Sequence, residues 1–176
     1  RRNVPGRNLK MEEIEMKKLL LTALLLSGLN AETFLDVEKR CYKGSMIDCY
    51  NLALMYESGE GIRQSFYSAA RLFRMVCNAG EPKDVYLQAC YNLGFIYFLG
   101  KEAGIRQDFR QAITLFSKAC SNGEQKSCYQ LGMMYANGDG TKQNYSTAKE
   151  YFSKACDLGH NDGCKDYVEI NERVTR

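Results

Sequence analysis

Between Cys128 and Cys164 the apolar residues fall three and four apart: Leu131, Met134 and Tyr135 in one stretch, Ala148, Tyr151, Phe152 and Ala155 in the next. This spacing returns side chains to one face of a 3.6-residue turn, so both stretches are predicted helices with one buried face. Gly138 and Gly140 separate them, matched by Gly59 and Gly61 earlier in the chain and less closely by Gly100 and Gly104. Glycine takes the left-handed backbone that ends a helix at little cost, which makes the unit a helical hairpin.

The hairpin recurs. "CYNLALMY" begins at Cys49, "CYNLGFIY" at Cys90 and "CYQLGMMY" at Cys128. "FYSAARLFRMVC", "FRQAITLFSKAC" and "YSTAKEYFSKAC" end at Cys77, Cys120 and Cys156, each with an aromatic residue eleven positions and a phenylalanine four positions before its cysteine. Three of the six steps between equivalent cysteines, Cys41 to Cys77, Cys120 to Cys156 and Cys128 to Cys164, are 36 residues, a solenoid period. Five extra residues around "EPKDV" and two in "LGKEAGIRQD" lengthen the other three, and both insertions are expected in turns. The prediction is an all-α, αα-hairpin solenoid of about eight helices: a half unit from Glu32 to Tyr42, three full hairpins, and a charged closing helix from about Asp162 to Val174.

The cysteines then acquire a role. A glycine lies three residues after the first cysteine of each pair, at Gly44, Gly80, Gly123 and Gly159. Cysteines eight apart on an unbroken helix stand about 12 Å apart, beyond disulfide reach, whereas a turn at the glycine folds the next helix back to within ~6 Å. The expected bridges are Cys41–Cys49, Cys77–Cys90, Cys120–Cys128 and Cys156–Cys164. No metal or other cofactor is expected: no C-x-x-C occurs, and the single histidine, His160, sits beside a turn glycine, where a solvated loop residue is the simpler reading.

An oxidising destination fits the start of the chain. Lys17 and Lys18 precede the apolar run Leu19 to Leu29, which ends at Asn30 and the small residue Ala31. Residues 16–31 read as a signal peptide cleaved after Ala31, residues 1–15 as an upstream, non-structural segment, and 32–176 as the solenoid. The run is too short to span a bilayer, so no stable membrane anchor is expected. Without residues 1–31 the chain carries equal numbers of basic and acidic residues, which removes the electrostatic case for nucleic acid.

"ACYNLGFIYFLG", "SCYQLGMMYANGDG" and "AKEYFSKACDLGHNDGC" resemble the SEL-like repeat, a relative of the tetratricopeptide repeat, and in particular its cysteine-rich secreted branch described in Helicobacter. The resemblance covers Glu32 to about Val168 and implies a right-handed superhelix. It also implies a possible hydrolase, because some relatives are classed as β-lactamases or penicillin-binding proteins. "STAK", from Ser146 to Lys149, fits the S-x-x-K of serine β-lactamases, in which a lysine one turn on assists a serine nucleophile. The same slots hold Tyr67 and Arg110, and Ala70 and Ile113, in the sister units, so the motif is a coincidence of repeat register at places expected to be variable and exposed. No S-D-N or K-T-G follows it.

A hairpin superhelix presents a concave face lined by the first helix of each unit, a surface suited to an extended peptide or a protein. On those helices the position two after the cysteine is polar in every copy: Asn51, Asn92, Gln130 and Asp166. A carboxamide there can bond a peptide backbone, since it donates and accepts, or can cap a neighbouring turn of the repeat. Tyr50, Tyr91 and Tyr129 are either groove aromatics or inter-repeat packing. Two functions follow: a secreted or periplasmic disulfide-stapled scaffold for a peptide or protein partner, and a penicillin-binding or weakly hydrolysing enzyme acting on a β-lactam.

Overall fold

The computed structural model describes residues 33–174; the predicted signal peptide and upstream segment lie outside the described residues. Within them are eight α-helices and no strand. They are α1 (Phe34–Tyr42), α2 (Met46–Ser58), α3 (Phe66–Ala79), α4 (Lys83–Leu99), α5 (Phe109–Ser121), α6 (Gln125–Asn137), α7 (Tyr145–Asp157) and α8 (Asn161–Val174), with a short 3-10 turn at Gly100–Ala103. Each helix packs on its neighbours in sequence, and α2 also touches α4. That is the layout of a one-dimensional repeat, in which every unit is stabilised by the next.

Sequence explains where the helices start. Ser65, Asp108 and Asn144 stand before the second helix of each hairpin, and their side chains accept from the backbone N–H of Ser68, Gln111 and Thr147. Each satisfies an amide that the helix itself leaves unpaired. The hinge glycines Gly44, Gly80, Gly123 and Gly159 have φ between 78° and 101°, a conformation that costs other residues a clash at Cβ.

The four hinges are closed by disulfides: Cys41–Cys49, Cys77–Cys90, Cys120–Cys128 and Cys156–Cys164, with Cα atoms 4.5 to 4.8 Å apart. At the first hinge the Arg40 guanidinium adds an ion pair to Asp48 at 2.8 Å. That guanidinium and the Ser45 hydroxyl hold the Asp48 carboxyl below its ordinary range.

The insertions behave differently from each other. The two extra residues after α4 do fall in the connection, as the 3-10 turn. The five near Cys77 do not. Four of them lengthen α4 to 17 residues, against 13 in α2 and α6, and the fifth lengthens α3 to 14, so Cys90 is the eighth residue of its helix and Cys49 and Cys128 the fourth. Four residues are close to one helical turn, so the cysteine keeps its face towards Cys77.

The core follows the repeat. Phe73 and Phe116 in the second helices and Leu52, Leu93 and Leu131 in the first are fully buried. The leucine-glycine pair has a packing reason: a Cβ on Gly132 would meet the Phe152 ring at 2.5 Å, and one on Gly94 the Phe116 ring at 2.8 Å. Ala148, Phe152 and Ile170 form a smaller cluster under α8.

Candidate functional site

Three tyrosines on successive first helices repeat one arrangement. Tyr50 on α2, Tyr91 on α4 and Tyr129 on α6 set their rings beside Phe73, Phe116 and Phe152, with centroids 5.6, 5.9 and 5.7 Å apart. Tilted contacts at these separations suit the ring quadrupoles. Each hydroxyl then reaches the following first helix. The Asn92 amide donates to the Tyr50 oxygen at 3.3 Å, and the Tyr50 hydroxyl donates to Gln88 Oε1 at 3.0 Å. In the same register Gln130 stands near enough to the Tyr91 hydroxyl, and Asp166 to that of Tyr129, to shift their ionisation.

The polarity of the rungs changes along the row. Burial pushes the Tyr50 and Tyr91 hydroxyls up, and the carboxamides of Asn92 and Gln130 draw them partly back by hydrogen bonding. At the last rung burial acts first, and the Asp166 carboxylate then accepts from the phenol and repels its anion. Tyr129 is pushed up to about 12. A hydrogen bond to the neutral form and a nearby like charge both disfavour ionisation.

The carboxamides and tyrosines singled out by sequence are therefore brought together, but across repeats. Asn92 ties its unit to the preceding one instead of capping a turn, and the tyrosine rings pack on the second helix of their own hairpins. Asn51, on the first helix of the first hairpin, is exposed. The Lys126 ammonium lies 5.8 Å from the Tyr91 ring centre, within reach of its π face. His160 is not the solvated loop residue expected. Its ring stacks on Tyr129 at 4.4 Å, and Nδ1 accepts from the Gly163 backbone N–H at the start of α8. Among the described residues no His, Cys, Asp and Glu cluster able to hold a metal ion occurs.

Sequence reading missed a second periodic device. Gln64, Gln107 and Gln143 donate through Nε2 to the backbone carbonyls of Glu57, Phe98 and Ala136 at 2.7, 2.8 and 2.7 Å. Each closes the carboxyl end of a first helix. The signal was present as "IRQS", "IRQD" and "TKQN", where glutamine always precedes the cap of the second helix.

Ser146 is exposed in the first turn of α7. Lys149 is half-buried, not exposed as the slot comparison implied, because its ammonium lies 5.8 Å from the Tyr167 ring centre. Both border an open surface depression with Glu150, Ser153, Lys154 and Asp157. The "STAK" lysine is thus engaged with an aromatic face of α8.

These features define a disulfide-stapled helical-repeat solenoid whose first helices are joined by tyrosine rungs. The Sel1 repeat family model matches residues 48–81, 87–124 and 125–160, more than half of the chain, and the chain belongs to that family. Its fold is similar to that of a Sel1 repeat protein from Oxalobacter formigenes (21% identity, TM-score 0.67, 76% of this chain and 52% of that one). It is also similar to a protective antigen of uropathogenic Escherichia coli displaying an SLR fold (26%, 0.70, 78% and 28%) and to cysteine-rich protein B of Helicobacter pylori (26%, 0.57, 74% and 94%). The chain thus spans about half of the Oxalobacter structure and about a quarter of the Escherichia one. Comparison with curated proteins finds no match.

Proposed function

We propose that this chain is an extracytoplasmic binding scaffold that takes a peptide or protein on the face formed by α2, α4, α6 and α8. The observation that carries this reading is the repeated register in which Tyr50, Tyr91 and Tyr129 meet Asn92, Gln130 and Asp166 of the following first helix, hydrogen-bonded at Tyr50–Asn92; it favours one preorganised surface across four helices. A surface rigid before binding loses less entropy on binding, so moderate contacts suffice for affinity. Four disulfides fit an oxidising compartment, where such bridges form and persist. Export through the leader of residues 16–31 would deliver the chain there. No helix among the described residues is long and apolar enough to cross a membrane. The Escherichia relative's description as a protective antigen agrees with an outward-facing role.

The test is a displayed-peptide selection against the oxidised chain, with retention measured on Asn51→Arg and Lys126→Glu variants and on an outer-face control, Arg71→Glu. Selected peptides are expected to lose at least tenfold in affinity on the first two and to keep it on the control. Equal binding to all three would sink the reading. In parallel, the chain is titrated with a chromogenic cephalosporin. Turnover above a denatured control that disappears in Ser146→Ala would replace the scaffold reading with the hydrolase one.

A further inference from the structure

We propose that a cleft enclosed by α6, α7 and α8 receives an aromatic side chain, followed by a basic residue, from a partner peptide; this rests on the scaffold reading above. Ala136 stands eight residues after Cys128, where Phe98 stands eight after Cys90. In its own repeat the Phe98 ring lies 6.2 Å from the Phe95 centre and 5.6 Å from Phe109, against the core. The chain itself therefore shows what this slot accommodates when filled.

In the last hairpin the neighbours corresponding to Phe95 and Phe109 are Met133 and Tyr145, and alanine supplies no ring between them. What remains is an open cleft of about 280 Å³, where Met133, Phe152 and Ile170 adjoin the polar side chains of Asn137, Gln143 and Asp166. A cavity of roughly 150 Å³ already holds benzene, so by volume the cleft has room for a phenyl or phenol ring. The adjacent methionine adapts its shape, and its sulfur favours an aromatic edge.

The rim selects the residue beside the ring. Glu169 and Arg173 pair at 2.8 Å and cancel each other's charge. Asp166 also borders the cleft, and its charge is left without a cationic counterpart at the rim. One carboxylate in excess at the mouth of a partly apolar cleft favours an aromatic side chain carried next to a lysine or arginine. Residues 1–32 contain no aromatic residue, so the predicted leader cannot supply the ring.

The test uses the oxidised full chain with methyl-labelled Met, Ala and Ile, titrated with N-acetyl-Phe-Lys-amide, N-acetyl-Ala-Lys-amide and N-acetyl-Phe-Glu-amide. Saturable shifts at Met133, Ala136 and Ile170 are expected with the first, at least tenfold weaker binding with the other two. Ala136→Phe, which restores the sister residue, is expected to keep or raise Tm and to abolish those shifts; Ala136→Leu serves if the larger ring does not fold. Shifts that persist in the filled variants, or that fall elsewhere on the first helices, would overturn the cleft while sparing the scaffold. No shift with any dipeptide, together with peptides from the display selection that bind normally to Ala136→Phe, would do the same. Shifts at these methyls on raising protein concentration alone would assign the cleft to a second copy and overturn the peptide.

Discussion

The Asn92 amide donates to the Tyr50 hydroxyl oxygen at 3.3 Å across 42 residues of chain, joining α2 to α4, two helices that no disulfide links directly. The phenol is half-buried, so its loss leaves the carboxamide in a site where water replaces it imperfectly. Tyr50→Phe is expected to destabilise the chain by about 1 kcal/mol, and Asn92→Ala by a similar amount. A double-mutant cycle by denaturant unfolding should show coupling of roughly 0.5 kcal/mol or more, as for neighbours that share a bond. Strict additivity would show that the rung contributes nothing beyond local packing.

The glycine in the last leucine-glycine pair exists for a ring. Gly132→Ala places a methyl group 2.5 Å from Phe152, which must shift in a close-packed interior. Despite the better helix propensity of alanine, a loss of about 1–3 kcal/mol is expected. At the corresponding place in the first hairpin stands Ala53, fully buried, so Ala53→Gly should cost only about 1 kcal/mol. If Gly132→Ala unfolds at higher denaturant than the parent, the close approach is not a constraint.

The bridges differ in exposure. Six cysteines are buried, from Cys41 to Cys128, whereas Cys156 and Cys164 are half-buried. Thiol exchange requires access to a sulfur, so graded reduction followed by alkylation and peptide mapping should label Cys156 and Cys164 first. Replacing both by serine should cost about 2–3 kcal/mol by the chain-entropy argument for a short loop. Simultaneous labelling of all eight would mean that the solenoid opens globally before any single hinge does.

Alkaline pH probes the last rung. Burial, followed by the Asp166 carboxylate, pushes the Tyr129 phenol up to about 12, against about 10 in an unfolded chain. The folded state therefore holds this proton where the unfolded state has lost it. The stabilisation is fully present below pH 10 and disappears as pH rises towards 12. Tyr129→Phe should flatten the fall of Tm over that window and remove the latest component of the tyrosinate absorbance titration. A Tyr129 component near pH 10 would contradict the burial and the Asp166 contact.

Several of these features were legible from the chain. The row of Cys-Tyr-Asn-Leu copies marks the first helices, and the glycines at Gly123 and Gly159 mark their hinges. Gln64, Gln107 and Gln143 were visible as a repeat but silent in role, since a polar residue before a helix cap looks like any loop residue. Only the fold reveals that each reaches back to a carbonyl seven or nine residues earlier. The extra turn of α4 was misjudged for a related reason. Length alone does not distinguish an inserted loop from an inserted helical turn that leaves Cys90 facing the same way.

Sequence by itself determined the all-helical class, the period of the repeat and its membership, because helix periodicity and glycine breaks are local properties of the backbone. Tertiary structure decided which polar side chains are spent between units and where a space is left over. Asn92, Gln130 and Asp166 look alike as surface residues until neighbouring helices bring tyrosines to them. Ala136 is an ordinary small residue until its repeat is set beside the one that holds Phe98. Such outcomes depend on atoms roughly 40 residues apart meeting in space, and no local pattern encodes that distance.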